Sequence, residues 1–255
     1  METREANGIG FRCGTWPLDP TRPTLIFLHG SGGSSVLWHG QVDALADRAN
    51  TVALDLPGRG LSPGPGMRAI PDYARAVLEF VDALGAPRPI PCGLSLGGGI
   101  ALQLLLDHPG RFEAGILIGT GARLRVLPAI LEGIQRDYAA HLAGMDMAAS
   151  PRTDRALLRP IMESNAQCSA EVALGDFLAC DAFDVMQRLG EIDVPVLVVS
   201  GEDDRLTPPK YADFLEKGIR HARRAHIADA GHLAPAERPA EVNRAIAEFL
   251  DAAVP

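Results

Sequence analysis

The sequence predicts an α/β fold, a mostly parallel twisted sheet with helices on both faces and a helical cap inserted into it. Short apolar runs alternate with longer segments of helical periodicity, which is typical of β-α-β units. Residues 123–188 interrupt this alternation, because they show helical patterns and contain no strand candidate. We therefore expect a core domain of residues 1–122 and 189–255, with residues 123–188 forming a lid over its ligand edge.

The predicted strands are short and rich in apolar or β-branched residues. Thr24–Leu28 (TLIFL) is the clearest, because both of its faces are apolar, as expected for a strand that helices cover on both sides. The further candidates are, in chain order, Thr51–Leu54, Ile90–Gly93, Ala114–Ile118, Val194–Ser200 and a last strand near Arg223–Ala228.

The core helices are predicted from apolar residues that recur at three- and four-residue spacing. Pro71–Leu84 has this spacing, and Gly85 follows it as a suitable residue for a helix C-terminus. Gly97–Leu106 is apolar nearly all round, which predicts a buried helix. Tyr211–Lys217 and Pro239–Ala252 complete the set.

The composition disfavours several classes of function. A net charge of −8 argues against nucleic-acid binding, because a phosphate backbone requires a basic surface. No apolar run approaches the ~20 residues that span a bilayer, and the N-terminus lacks a signal-peptide pattern. We expect a cytoplasmic protein with a small-molecule substrate and no membrane partner.

The four cysteines lie far apart in the chain and show no metal-binding spacing. We expect isolated buried thiols and no metal site. A disulfide between Cys168 and Cys180 is the alternative for two of them, and a reducing compartment would disfavour it.

The segment GLSLG (residues 93–97) has the pattern GxSxG and lies directly between a predicted strand and a predicted helix. A turn this sharp strains the serine backbone, and flanking glycines remove the Cβ atoms that would collide. Ser95 would then present its hydroxyl at a helix N-terminus, where the helix dipole favours negative charge. An incidental serine in a tight turn is the alternative. The context favours Ser95 as a nucleophile.

A serine hydroxyl is a weak nucleophile and requires a base within hydrogen-bond reach. His232 is the best candidate, because it lies in a loop between the last predicted strand and the C-terminal helix. A loop-stabilising histidine is the alternative. The chain order serine, acid, histidine is the one expected for a GxSxG elbow on such a sheet.

The acid that orients the imidazole should lie in GEDDRLTP (residues 201–208), which follows the predicted strand Val194–Ser200. Three acids compete there. The spacing of glycine and proline around them favours Asp204, leaves Asp203 as the lesser candidate, and makes Glu202 solvated or structural.

The segment HGSGGS (residues 29–34) follows the first predicted parallel strand without interruption. Its glycines allow backbone N–H groups to turn toward a developing oxyanion, and we expect the amides of Ser31 and Leu96 to be the donors. A phosphate-binding loop is disfavoured, because neither GxxxxGK[ST] nor GxGxxG is present. His29 is expected to stabilise the turn.

The motifs HGSGG, DLPGRGLS, GLSLGG, GEDDRLTP and AGHLAPAERP occur in this order over nearly the whole chain, which resembles the α/β-hydrolase fold superfamily. The resemblance implies a sheet of about eight strands, a helical cap, and catalysis without a cofactor by Ser95, Asp204 and His232. It also implies that Asp55 belongs to a structural turn. The short N-terminus departs from the family pattern and suggests that a first edge strand is missing.

Within that superfamily the resemblance favours a hydrolase of small or medium apolar carboxylic esters, lactones or thioesters. Dehalogenases and epoxide hydrolases, which are similar to this superfamily, have an aspartate at the nucleophile position. The serine at this position therefore disfavours both classes. A carbon–carbon bond hydrolase or a perhydrolase would use the same triad. A non-catalytic ligand receptor is the alternative outside enzymes, and the complete triad disfavours it.

Pocket candidates follow from their positions beside the catalytic motifs or just after predicted strands. We expect Trp38, Thr120, Gly121 and Leu206 to line the substrate pocket. Arg123, just beyond the strand Ala114–Ile118, is a candidate anchor for a substrate carboxylate, with a solvated or ion-paired arginine as the alternative.

Overall fold

The computed structural model describes residues 1–254. Its strands are β1 (Glu2–Ala6), β2 (Ile9–Cys13), β3 (Thr24–Leu28), β4 (Asn50–Leu54), β5 (Pro89–Leu94), β6 (Gly115–Ile118), β7 (Val196–Gly201) and β8 (Ala222–Ile227). They form one sheet in the order β1-β2-β4-β3-β5-β6-β7-β8. The pairs β1–β2 and β2–β4 are antiparallel, and the other pairs are parallel.

The fold class and the number of strands are confirmed. Every predicted strand is present, with bounds that differ by no more than two residues. The central strands β3, β4, β5 and β6 are buried along their whole length, which explains why their sequences are apolar on both faces.

The expectation of a missing edge strand is wrong, because β1 and β2 form a hairpin at the sheet edge. The two residues between them are Asn7 and Gly8, with φ of 49° and 73°. A two-residue turn with both φ values positive matches the twist of an antiparallel pair, and Asn-Gly is its preferred sequence. The Asn-Gly pair is therefore a sequence signal for this hairpin.

The helices cover both faces of the sheet. Their bounds are α1 (His39–Val42), α2 (Ile70–Leu84), α3 (Leu96–Asp107), α4 (Pro128–Arg136), α5 (Tyr138–Ala143), α6 (Arg159–Asn165), α7 (Ala170–Ala182), α8 (Pro209–Gly218), α9 (Ala234–Glu237) and α10 (Pro239–Ala253). Helix α3 is buried on all sides except at its last residue, which explains its lack of a polar face.

The chain between β6 and β7 carries α4 to α7 and the 3₁₀ turns Met145–Ala148 and Arg155–Leu158. This helical insertion contributes residues to the cavity described below. Its bounds as a separable cap at residues 123–188 stay a prediction. Within residues 1–254, no helix has the length and apolar character needed to cross a membrane.

The parallel strands bring the chemically important loops together. The carboxyl ends of neighbouring parallel strands lie at one edge of a sheet, which is where ligands bind in open α/β folds. Ser95 follows β5, the loop of Asp204 follows β7, and the loop of His232 follows β8. The glycine-rich loop of residues 29–34 follows β3 at the same edge.

Candidate active site

Ser95 stands at the junction of β5 and α3 in a strained conformation, with φ 56° and ψ −116°. A side chain at Gly93 or Gly97 would collide with backbone, because an ideal Cβ would lie 2.0 Å from the carbonyl oxygen of Gly97 or 2.1 Å from that of Leu28, respectively. The glycines therefore allow the turn, as the sequence predicted.

Backbone hydrogen bonds hold Ser95 in this conformation. Its N–H donates to the carbonyl of Ile118 at 3.0 Å. Its own carbonyl accepts from the Gly99 N–H at 3.0 Å and from the Thr120 hydroxyl at 2.8 Å. The side chain of Ser95 is left to line a cavity at the carboxyl edge of the sheet.

Asp204 and His232 form a buried pair. The imidazole Nδ1 lies 2.9 Å from Asp204 Oδ2 and 3.2 Å from Oδ1. Asp204 also accepts hydrogen bonds from the N–H groups of Leu206 and Thr207, each at 2.9 Å, and from the Thr207 hydroxyl at 2.8 Å. Because Asp204 can only accept, Nδ1 of His232 carries a proton and the opposite ring nitrogen is left to act as a base.

The surroundings keep Asp204 ionised. Burial alone would raise the pKa of Asp204, but the charge of His232 and the hydrogen bonds from His232 and Thr207 outweigh it and lower the pKa below its ordinary value. The carboxylate can therefore stabilise a positive imidazolium.

The other two acids of the loop face elsewhere. Asp203 accepts a hydrogen bond from the Ser150 hydroxyl at 2.5 Å and lies 3.3 Å from Arg152 Nη1. Glu202 accepts from the Asp229 N–H at 3.1 Å. Of the three acids, the imidazole contacts Asp204.

The cavity of about 400 Å³ is lined by both Ser95 and His232. Among residues 1–254, no hydrogen bond joins the Ser95 hydroxyl to the imidazole. Such bonds are often long without substrate and tighten when it binds. The two side chains, remote in sequence, therefore share one cavity at the sheet edge.

The glycine-rich loop lies beside Ser95. An ideal Cβ at Gly30 would lie 3.3 Å from the Cβ of Ser95, and Ser31 lines the same cavity. Leu96 is the first residue of α3, so its N–H has no partner within the helix. In the described chain, the Ser31 N–H makes no hydrogen bond to another protein group. The N–H groups of both predicted donors are thus free next to Ser95.

The helical insertion holds the glycine-rich loop of residues 29–34 through a hydrogen bond. Asp176 of α7 accepts a hydrogen bond from the Gly32 N–H at 2.8 Å. The same buried carboxylate accepts from both terminal nitrogens of Arg59 and from the Tyr73 hydroxyl. A fully buried ion pair requires this degree of hydrogen bonding, because an unpaired buried charge is costly.

His29 serves the turn, as predicted. The Leu56 N–H donates to Nε2 at 3.0 Å, so Nδ1 carries the proton and donates to the Gly30 carbonyl at 2.8 Å. Burial, with a smaller contribution from Arg59, lowers the pKa of His29 from 6.5 to about 4. The residue is therefore neutral at physiological pH.

The neutral His29 makes stability depend on pH. The unfolded imidazole takes up a proton near pH 6.5, the folded one only near its pKa of about 4. Its contribution is fully present above pH 6.5 and is lost as pH falls through 4. We expect the free energy of unfolding to fall by about 3 kcal/mol over this interval, measured by urea unfolding at several pH values.

The matched variants are His29→Asn, which does not titrate, and His226→Asn, which removes an exposed histidine of β8. His226→Asn should keep the pH dependence of the wild type, whereas His29→Asn should lose most of it. Equal pH dependence in all three proteins would contradict the assignment.

The cavity is mainly apolar. Its apolar residues from the core are Leu37, Leu94, Leu206 and Leu233, and those from the insertion include Ile130, Met145, Met147, Ile161 and Phe177. Among the lining residues that the structure describes, none is Lys, Arg, Asp or Glu. The chemistry of this wall suits an uncharged ligand.

Of the predicted pocket residues, Leu206 lines the cavity and four do not. Trp38 is completely buried and stacks on Phe27 with ring centroids 4.9 Å apart. Thr120 supports the Ser95 backbone, and Gly121 packs against the ring of Tyr211. A position after a strand therefore does not by itself place a side chain in the cavity.

Arg123 also lies outside this cavity. It lines a separate pocket with Arg125 and Lys210 and lies 3.4 Å from Asp184. The expectation that Arg123 anchors a substrate carboxylate is wrong for the cavity of Ser95, and the ion-paired alternative describes it.

Two functional features escaped the sequence analysis. Thr207 donates its hydroxyl to Asp204, and a threonine three residues after an aspartate is a signal for such a bond. The cavity residues of the insertion gave no sequence signal, because their approach to Ser95 depends on how the helices pack.

All four cysteines are buried and free. Among residues 1–254, no group of three or more His, Cys, Asp or Glu is placed to hold a metal ion.

Comparison with known families identifies one match over most of the chain. The sequence model of the family described as the alpha/beta hydrolase fold matches residues 23–239. This range includes the glycine-rich loop, Ser95, Asp204 and His232.

Two curated relatives and one solved structure illustrate the similarity. A proposed carbamate hydrolase, RutD, of Variovorax paradoxus (strain S110) is 32% identical over 244 residues, covering 87% of this chain and 89% of the relative. A pimeloyl-acyl-carrier-protein methyl ester esterase of Neisseria meningitidis (serogroup C) is 30% identical over 221 residues, covering 80% and 84%. The enol-lactonase of Burkholderia xenovorans LB400 superposes with a TM-score of 0.86 at 25% identity, covering 98% and 100%.

Proposed function

The chain belongs to the alpha/beta hydrolase fold family, and from this premise we propose that it hydrolyses neutral apolar carboxylic esters or lactones through an acyl-enzyme on Ser95. One observation carries the proposal. The Asp204-held imidazole of His232 and the strained Ser95 line the same apolar cavity. The names of the relatives support acyl transfer, since carbamates, methyl esters and enol-lactones all offer a carbonyl carbon to a nucleophile.

In the proposed cycle, His232 removes the proton of the Ser95 hydroxyl as its oxygen attacks the carbonyl carbon. The carbonyl oxygen becomes an oxyanion, which the N–H groups of Ser31 and Leu96 stabilise. The imidazolium, stabilised by Asp204, gives its proton to the leaving alcohol. His232 then activates a water that attacks the acyl-enzyme, and the products are a carboxylic acid and a restored Ser95.

The cavity determines the class of substrate in this proposal. A volume of about 400 Å³ suits a small or medium ligand. None of the described lining residues is Lys or Arg, so a substrate carboxylate would enter a mainly apolar space, which costs several kcal/mol for an unpaired charge. We therefore place neutral acyl groups ahead of acidic ones.

A panel of p-nitrophenyl esters tests this substrate class. We expect kcat/KM to rise from acetate to a medium-length acyl chain and to be at least about tenfold lower for the acidic hemisuccinate than for the butyrate, because each 1.4 kcal/mol corresponds to a factor of ten. Arg123→Ala should leave both values unchanged, since Arg123 lies in the separate pocket.

Two outcomes would contradict the proposed substrate class. One is a preference for the hemisuccinate, and the other is a selective loss of hemisuccinate hydrolysis in Arg123→Ala. Absence of hydrolysis of every ester, together with no labelling of Ser95 by a fluorophosphonate probe, would overturn the ester hydrolase itself.

A further inference from the structure

The loops of Asp204 and His232 are joined by a short segment of the helical insertion, residues 148–153, which we call the clasp. We infer that the clasp positions the two catalytic loops, and that the buried Glu237 transmits its position to His232. This inference rests on the proposed function of Ser95, Asp204 and His232. Glu237 and the clasp residues act here as positioning residues and do not touch the reacting atoms.

Glu237 is 1% exposed and accepts hydrogen bonds from both sides of the junction. On the catalytic side, its Oε2 accepts from the Gly231 N–H and its Oε1 from the Leu233 N–H, both at 2.9 Å. These two residues flank His232 in the chain. One carboxylate thus holds the backbone immediately before and immediately after the imidazole.

The same carboxylate holds the clasp. Its Oε2 also accepts from the Ser150 N–H at 2.8 Å and from the Thr153 hydroxyl at 2.6 Å. Four donors on one buried carboxylate satisfy a charge that would otherwise be costly to bury. The four donors come from two segments, the clasp and the His232 loop. A displacement of the clasp would therefore break its bonds to Glu237, and Glu237 would then hold the His232 loop less firmly.

The backbones of the two segments are in direct contact. The His232 N–H donates to the Ala148 carbonyl at 2.9 Å. An ideal Cβ at Gly231 would lie 2.4 Å from the Ser150 nitrogen and 2.6 Å from the Ala148 oxygen. The approach is therefore so close that only glycine fits, which makes the contact specific and leaves little room for independent movement.

The clasp also holds the loop of the acid. The Ser150 hydroxyl donates to Asp203, the neighbour of Asp204. Arg152 lies 2.9 Å from Asp229 and 3.3 Å from Asp203, so it bridges the loops that follow β7 and β8. The exposed Arg152 pairs contribute little energy. The buried bonds from the Ser150 N–H and the Thr153 hydroxyl to Glu237 carry the coupling.

The test compares two changes at one buried clasp residue, one isosteric without the hydroxyl and one smaller that retains it. Thr153→Val removes the hydroxyl that donates to Glu237, and Thr153→Ser retains it. We expect Thr153→Val to lower kcat for p-nitrophenyl butyrate about tenfold with KM within about twofold of the wild type, because a small misplacement of a catalytic group costs rate rather than binding. Thr153→Ser should restore most of the lost kcat. Glu237→Gln, which cannot accept from all four donors, should lower kcat about 100-fold.

The matched controls lie outside the clasp. Glu248→Gln removes an exposed carboxylate of α10, and Arg159→Ala removes an exposed arginine of the insertion that pairs with Glu163. Both should keep the kcat of the wild type. If Glu237→Gln does not fold, the Thr153 pair decides the question alone.

A spectroscopic measurement separates this inference from the proposed function. The downfield proton resonance of His232 Nδ1–H, assigned by its loss in His232→Gln, should persist in the wild type and in Thr153→Ser and broaden in Thr153→Val. This resonance does not depend on turnover, so it reports on the clasp even if esters are not substrates. An unchanged resonance in Thr153→Val, an unchanged kcat, or equal losses of kcat in the two Thr153 variants would overturn the inference.

Discussion

Replacing Ser95 with alanine is expected to lower kcat for p-nitrophenyl butyrate by about a millionfold, the scale on which loss of a triad serine acts. The change removes the oxygen that would bond covalently to the acyl group, and the burst of p-nitrophenol should disappear with it. The residual rate should come from the oxyanion donors and from substrate binding, which do not need the hydroxyl. Stopped-flow measurement of p-nitrophenol release and intact-mass analysis after fluorophosphonate treatment check both statements.

Ser31→Ala is the informative companion to Ser95→Ala. Ser31 lines the same cavity, but the proposed role of this residue uses only its backbone N–H, which alanine keeps. We expect Ser31→Ala to lose less than about tenfold in kcat, in contrast to the loss of 10² or more when an oxyanion donor itself is removed. A labelled, active Ser95→Ala protein would show that another residue is the nucleophile.

Replacing Asp204 with asparagine is expected to lower kcat about 10⁴-fold, with the fold retained. The asparagine amide can donate a hydrogen bond to Nδ1 of His232, which favours the tautomer that carries its proton on the opposite nitrogen. That nitrogen could then no longer accept the proton of Ser95. The measurement is kcat for p-nitrophenyl butyrate at neutral pH, with circular dichroism as the check on folding.

Asp203→Asn is the matched control, because the two aspartates are adjacent and both belong to the loop after β7. Asp203 contacts Ser150 and Arg152 rather than the imidazole, and asparagine keeps a carbonyl oxygen that can accept from the Ser150 hydroxyl. Its replacement should therefore lower kcat by less than about tenfold, the scale of weakened hydrogen bonds. A large loss in Asp203→Asn with a small loss in Asp204→Asn would reverse the assignment.

The sequence was sufficient for the buried parallel strands β3, β5, β6 and β7, because strands buried on both faces leave a clear apolar pattern. Thr24–Leu28 was predicted with the bounds that the structure shows. The N-terminal hairpin was missed, since Glu2–Ala6 is almost wholly exposed and carries no such pattern. Its signals were the Asn-Gly turn and the alternation of the buried Ile9, Phe11 and Cys13 in β2.

Pocket residues were predicted less well. Leu206 lines the cavity, whereas Trp38 is buried against Phe27 and Arg123 lies in another pocket. A position after a strand defines the edge of the sheet that a residue reaches, but the direction of its side chain depends on local backbone angles and on neighbours. Those neighbours come from distant parts of the chain.

The sequence by itself determined the order and type of the candidate catalytic motifs and the strands that carry them, because both follow from local patterns of apolar residues, glycines and spacing. The tertiary structure decided which of two adjacent aspartates meets the imidazole of His232. It also decided which residues surround the cavity of Ser95, and that Glu237 joins the insertion to the loop of His232. The physical reason is that side-chain direction and the packing of one segment on another are properties of contacts between residues far apart in the chain, which no local pattern encodes.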